Sequence, residues 1–241
     1  MKLISCNIEG ERHLEARLLP FFKQQKVDVL ALQEVFECDL EAIKAASGLK
    51  NCVFYPQAKV TLPNIHLPAR GLWGVAIFAD VILKSEAKLY VKHGPEIPEF
   101  FAKQNPNSMN RVLLTAQIVS GGKIFELATT HFTWSGGPIV SDEQRLHFQA
   151  LQKALQQLPK IIFCGDLNTP RGYELWTELA KQYTDNIPSE IETTVDRNLH
   201  KSGLDIRLVI DALFTTSPYL VKNVAVVPNT SDHMAVLAEI D

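Results

Sequence analysis

Near the middle of the chain an apolar run, Ile161-Ile162-Phe163-Cys164, meets a glycine, presents Asp166 and Asn168 on alternate positions, and is turned away at Pro170. Residues two apart on a strand share a face, so this acid and amide would point together into the space beyond a sheet edge. An Asp/Asn turn that caps its own backbone reads the stretch equally well when it is taken alone. Other polar groups sit at or just past apolar runs in the same way: Asn7, Glu34, His131 and the pair Asp232-His233. Each has a plain alternative, Glu34 as a helix-start carboxylate, Asp232 as a loop acid, the histidines as satisfied core or surface groups. Their shared placement singles them out, because side chains converging at strand ends can surround a substrate without disturbing a core.

The residue types narrow the chemistry. Oxygen ligands such as Glu34, Asp232 and Asn7 suit a hard cation, Mg²⁺ or Mn²⁺, which takes one or two carboxylates, keeps waters and binds substrate phosphate. An acid such as Asp166 can orient and deprotonate a water, while Asn168 and the histidines donate hydrogen bonds to phosphoryl oxygens. Asp211 could hold His233, since a carboxylate beside an imidazole fixes its tautomer and favours its charged form.

Elements must carry these groups to one place. Periodicity predicts strands over residues 3–6 and 27–32, each ending in polar cargo, with a helix over 11–25 whose apolar face is Leu14, Leu18, Phe21 and Phe22, and another near 40–46. Further strands are expected over 52–55 and 74–79, and a hairpin over 111–119 and 123–129 closed by Gly121-Gly122. Ser141 with Asp142 and Glu143 marks a helix start, with Leu146, Ala150, Leu151 and Leu155 inward and an end near 158. A short helix over 173–181 and strands over 207–215, 221–227 and 235–240 complete the chain.

With 241 residues, 46% hydrophobic and 21% charged, and no repeat, linker or low-complexity run, the whole of 1–241 reads as one domain. The opening residues are strand-like rather than a targeting segment, which predicts a soluble, cytoplasmic protein with no membrane partner, and a monomer. Cys6, Cys38, Cys52 and Cys164 lack metal or disulfide spacing, and Cys6 and Cys164 read as reduced core thiols. A net charge of −3 gives no global attraction to nucleic acid or to an anionic membrane. A local basic groove built from Arg70, Arg171 and Arg197 stays open.

The ordered series S-C-N, L-Q-E, T-H-F, G-D-L-N and S-D-H resembles the endonuclease/exonuclease/phosphatase superfamily of metal-dependent phosphoesterases over Asn7 to His233. The resemblance implies an α/β fold, a four-layer sandwich of two mixed sheets packed face to face with helices outside. It implies Glu34 as principal metal ligand with Asn7 and Asp232 nearby, Asp166 positioning the attacking water, Asn168 and His131 binding the phosphate, and His233 paired with Asp211. Glu9 stands where several DNA-acting relatives have aspartate. A looser similarity to 5′-tyrosyl-DNA phosphodiesterases, carried by 108–114, the Arg145…Gln149 helix and the Thr194-Val195-Asp196…Arg207-Leu208 approach, points to substrate contacts at Arg111, Trp134 and Arg145. Arg111 could instead pair with a carboxylate, Arg145 be a solvated helix charge, and Trp134 a loop anchor; Trp73 and Trp176 read as core. The expected activity is Mg²⁺- or Mn²⁺-dependent hydrolysis of a phosphodiester, at a DNA or RNA end or a related ester, by direct water attack. A lipid or sugar-phosphate phosphoesterase and a non-catalytic scaffold of the same fold are the alternatives.

Overall fold

Two sheets face one another, and each is organised around one parallel pair of strands. The computed structural model describes residues 1–63, 67–101 and 105–241. Its strands are β1 (Lys2–Asn7), β2 (Val29–Phe36), β3 (Asn51–Val60), β4 (Gly71–Ala79), β5 (Ile82–Val91) and β6 (Arg111–Ser120). They continue with β7 (Lys123–His131), β8 (Ile162–Asp166), β9 (Thr184–Asp185), β10 (Asp211–Thr215), β11 (Val221–Val227) and β12 (Ala235–Ile240). The first sheet runs β11-β12-β1-β2-β4-β3 and the second β5-β6-β7-β8-β10-β9; β1/β2 and β7/β8 are the parallel pairs. With helices α1 (Leu19–Gln25), α2 (Leu40–Ser47), α3 (Asp142–Leu155) and α4 (Glu174–Ala180), this is the four-layer sandwich of mixed sheets expected.

Alternation explains the layers. Ile4, Cys6, Leu30 and Leu32 turn outward and pack with Leu14, Leu18, Phe22 and Ile43 of the α1–α2 region. Leu3, Val29 and Ala31 turn inward to the second sheet, whose own outer face packs on α3 and α4 through contacts such as Trp176 on Phe214. Along the inner layer the residues step from apolar to polar toward one end. Leu3, Ser5 and Asn7 do so on β1, Leu127, Thr129 and His131 on β7, and Ile162, Cys164 and Asp166 on β8. Gln33 Nε2 crosses between sheets to Thr129 Oγ1 at 2.9 Å within this graded layer.

Several expected elements differ. The stretch 11–25 is not one α-helix: Leu18 N bonds His13 O, five residues back, before α1 begins with Pro20 in its first turn. Strand β2 does not stop at Leu32 but runs on to Phe36. Residues 207–210 lie outside β10, and β5 and β9 were not anticipated. Ser141 caps α3 by accepting from Gln144 N, but Leu146 points to solvent. The buried face of α3 is Gln144, Phe148, Leu151 and Leu155, a helical repeat two residues out of phase with Leu146. The hairpin closes over Gly121 and Gly122 with φ of 57° and 75°, the mirror-image turn that glycine permits. All four cysteines are free, and no helix among the described residues is long and apolar enough to cross a membrane.

Gly165 is the tightest point of the second sheet. Its φ is 131°, and a β-carbon there would lie 2.2 Å from the Thr130 carbonyl oxygen on the neighbouring strand. Gly165→Ala is therefore expected to destabilise the protein by more than about 2 kcal/mol, through backbone strain added to overpacking. Urea unfolding monitored by tryptophan fluorescence checks this; an unchanged midpoint would show that β7 and β8 can separate freely.

Candidate active site

The polar end of the inner layer is a cluster built by register. His131 on β7 is in register with Asp166 on β8, and Asp166 with Asp211 on β10, so three adjacent strands present three polar side chains on one face. From the other sheet Asn7 reaches across. Its Nδ2 donates to Glu34 Oε1 and to Asp166 Oδ2, both at 3.0 Å, and its Oδ1 accepts from Glu9 N at 3.1 Å. The opposite amide orientation would set its oxygen against two carboxylates. Asn7, expected as an oxygen ligand of a cation, thus spends both donors on the acids and its oxygen on the Glu9 amide.

Glu34 arrives by a bulge rather than at a strand tip. Strict alternation from Leu30 and Leu32 would send it to the helix side. Instead the β2–β4 register shifts between Leu32 and Val35, and Glu34 takes φ 59°. The extra residue returns Val35 to the Leu30 and Leu32 side and aims the glutamate into the cleft. A left-handed glutamate is a costly conformation, of the sort that persists where the surroundings over-determine it.

The remaining groups close around Asp166. Asn168, also left-handed at φ 48°, donates its backbone N to Asp166 Oδ1 at 2.8 Å and its Nδ2 to the Phe132 carbonyl at 3.0 Å. His131 Nε2 lies 3.6 Å from Asp166 Oδ2 and 3.7 Å from Glu34 Oε1. His233 Nε2 lies 3.8 Å from Asp166 Oδ2, while its Nδ1 is bonded to Asp211 Oδ2 at 2.9 Å. Asp232 lines the same cleft and accepts from Ser231 Oγ at 3.1 Å.

Burial sets the charges apart. It pushes the Glu34 carboxyl up to about 7, helped by the nearby Asp232 charge, and raises Asp166 as well. It drives His131 well below the ordinary histidine range, with Arg111 and His233 adding to the effect, so His131 is neutral. Burial pulls His233 the same way, but Asp211 and Asp166 outweigh it and hold His233 well above that range, so it is charged. Two histidines in one site are thus kept in opposite states.

Residues not singled out as site groups complete the cleft, a space of about 430 Å³. Glu9, at φ 49° and tied to Arg12 and His13, lines it, as do His200 and Lys201 from the connection 186–210. Only the polar run His200-Lys201 could have hinted at this, because that connection has no regular period. Arg111 lies at the cleft but is buried: it donates to the His131 carbonyl at 3.0 Å and to Asn107 Oδ1 at 2.8 Å, bracing His131. Trp134 is half-exposed on the rim. Arg145 is not among the cleft-lining residues; it is held by Glu174 and Asp142 on the exposed face of α3, which favours the solvated helix charge over a substrate contact. Arg70 is held by Asp39, Arg171 by the Ile187 and Pro188 carbonyls, and Arg197 lies 3.7 Å from Asp205, so no common basic rim forms from them. Trp73 and Trp176 are buried.

The profile of the Endonuclease/Exonuclease/phosphatase family matches residues 4–233. The chain belongs to this family. Its members are phosphoesterase hydrolases, generally dependent on a divalent metal, and the chain is accordingly a phosphate-ester hydrolase. A family protein from Beutenbergia cavernae is similar in structure at TM-score 0.72 and 16% identity, over 100% of this chain and 71% of that one. The mannosyl-6-phosphatase Bt3783 of Bacteroides thetaiotaomicron follows at 0.68 and 14% identity, over 100% and 99%. The catalytic domain of human Nocturnin, with a bound sulfate anion, follows at 0.66 and 16% identity, over 100% and 93%. No curated protein matches by sequence.

The acids fit the family's metal requirement. Glu9, Glu34, Asp166 and Asp232 line one cleft, and burial opposes the ionisation of Glu9, Glu34 and Asp166. Asp166, Asp211 and His233 also bring ligand atoms within 4.8 Å of one another, but the His233–Asp211 hydrogen bond occupies that group and a charged imidazolium repels a cation. In metal-free protein Glu34, at about 7 when folded against an ordinary 4.5, favours folding most below pH 4.5 and loses that contribution as pH rises through 7. Glu34→Gln should therefore stabilise EDTA-treated protein at pH 8 by about 2–3 kcal/mol, or roughly 5 °C in Tm, and by little at pH 4.5. Added divalent cation should raise Tm of the wild type and not of this variant. Thermal scans at both pH values check the sign; a destabilised variant at pH 8 would contradict the burial argument.

Proposed function

We propose that the cleft hydrolyses phosphate esters by direct attack of water, with Mg²⁺ or Mn²⁺ held by Glu34 and Asp232. The observation that carries this reading is the Asp166 carboxylate, bonded to Asn7 and Asn168 and faced by both histidines within 3.8 Å. Two fixed donors orient it, and its raised affinity for a proton makes it a better base for a water molecule. Charged His233, held through Nδ1 by Asp211, presents Nε2 to the charge that develops on the phosphoryl group. Neutral His131 offers a hydrogen bond without adding a charge; burial, aided by Arg111, keeps it neutral. Asn7 holds Glu34 in place and keeps the two acids at a fixed separation. When bound, a divalent cation supplies Lewis-acid neutralisation of phosphoryl charge.

A nucleic-acid end is a second reading of the substrate, supported by Trp134, whose half-exposed ring on the cleft rim could stack a base. The engagement of Arg70, Arg171 and Arg197 elsewhere weighs against a long polyanion. Sugar-phosphate hydrolysis is a third, in line with the activity named for Bt3783.

Initial rates with Mg²⁺, Mn²⁺ or EDTA on a 5′-tyrosyl oligonucleotide, an abasic-site duplex, sphingomyelin, mannose 6-phosphate and an alkyl phosphate test the reading. Asp166→Asn is expected to lower kcat by about 10²–10⁴ while Tm holds, and Glu34→Ala to abolish the metal response. Turnover that survives EDTA, or an Asp166→Asn enzyme at wild-type rate, would sink it.

A further inference from the structure

The floor of the cleft is polar, but its walls are not. Trp73 from β4 lines the cleft together with Phe100 and Met109 from the connection 92–110, and Val195, Ile206 and Leu208 line it from the connection 186–210. The Trp73 and Phe100 rings lie 5.0 Å apart, and with Met109, Phe36 and Ala58 they form a small apolar cluster separate from the two main cores.

Charge points the same way. Among the described lining residues, permanent positive charge comes from Arg111, buried and tied to the His131 carbonyl and Asn107, and from Lys201, 3.7 Å from Glu9. Four carboxylates line the same space, more than one divalent cation would offset. A chain of phosphates laid along these walls would find no row of cations.

The mouth carries an apolar group too. Trp134 lines the rim at 46% exposure, which offers apolar surface to whatever enters.

Building on the phosphoesterase reading, we propose that the cleft selects phosphate esters whose alcohol is an apolar chain. The phosphate rests on the floor at Asp166 and the histidines, and the hydrocarbon runs along Trp73, Phe100 and Met109 toward the Trp134 rim.

Calorimetric titration with methyl-, butyl- and hexylphosphonate, in the presence of Mg²⁺, reads this without turnover. The dissociation constant is expected to fall roughly fourfold for each added methylene. Phe100→Ser and Trp134→Ser, both at solvent-reached positions, should each flatten that dependence while Tm is held. A second arm with hexadecylphosphonate in phosphatidylcholine vesicles identifies the source: cosedimentation assigns a bilayer, and its absence beside a steep soluble series assigns a dissolved amphiphile, both supporting the class. A flat series, or tighter binding of mannose 6-phosphate or a trinucleotide than of hexylphosphonate, overturns it. Ester hydrolysis together with a flat series removes this inference alone. A steep series without hydrolysis of any ester removes the catalytic reading and leaves the apolar subsite standing.

Discussion

One side-chain amide ties the two sheets together where they carry their acids. Asn7, at the end of β1, gives one hydrogen to Glu34 of its own sheet and the other to Asp166 of the facing sheet. Hydrogen bonds to ionised groups are worth about 1.5–3 kcal/mol each, and here both go to carboxylates that would otherwise repel each other across a buried gap. The bridge also sets distance, because a single planar group spans both contacts. Everything else at the site is referred to it: Asp166 faces His131 and His233, and Asp211 reaches the site through His233.

The cost of the arrangement is visible in local conformation and charge. Glu34, Asn168 and Glu9 all hold left-handed backbones that glycine would adopt more readily. Burial opposes ionisation at Glu34 and Asp166, and protonation at His131. The apolar end of the inner layer, Leu3, Val29, Leu127 and Ile162, supplies the packing against which this strain is held. A site kept away from its own electrostatic optimum at one end of a well-packed sandwich is the usual relation between stability and activity.

Much of this was legible in the residues because the chain repeats one device. An apolar run that ends in a polar residue marks a strand tip facing a cavity, and Asn7, His131 and Asp166 each follow it. What escaped that reading has physical reasons. The bulge at Glu34 uses no glycine, so nothing in L-Q-E announces that β2 continues and changes phase. Leu146 looked inward because it is apolar, but helix rotation is set by the better-buried set Gln144, Phe148, Leu151 and Leu155. Arg145 read either as a phosphate contact or as a solvated helix charge, and its partner Glu174, 29 residues on, could not be paired with it from sequence alone. His200 and Lys201 reach the cleft through an irregular connection, where periodicity carries no signal, and Glu9 was marked by resemblance alone.

The connections 92–110 and 186–210 are anchored outside the register that aligns His131, Asp166 and Asp211. Yet the second connection is stitched to the site by backbone: Asp196 N donates to the Asp232 carbonyl at 2.7 Å, Met234 N to the Thr194 carbonyl at 2.7 Å, and Asp211 N to Thr194 Oγ1 at 3.1 Å. A wall of the cleft and two carboxylates of the site thus share one backbone, so a change in residues 194–196 is felt at Asp211 and Asp232 without touching either side chain.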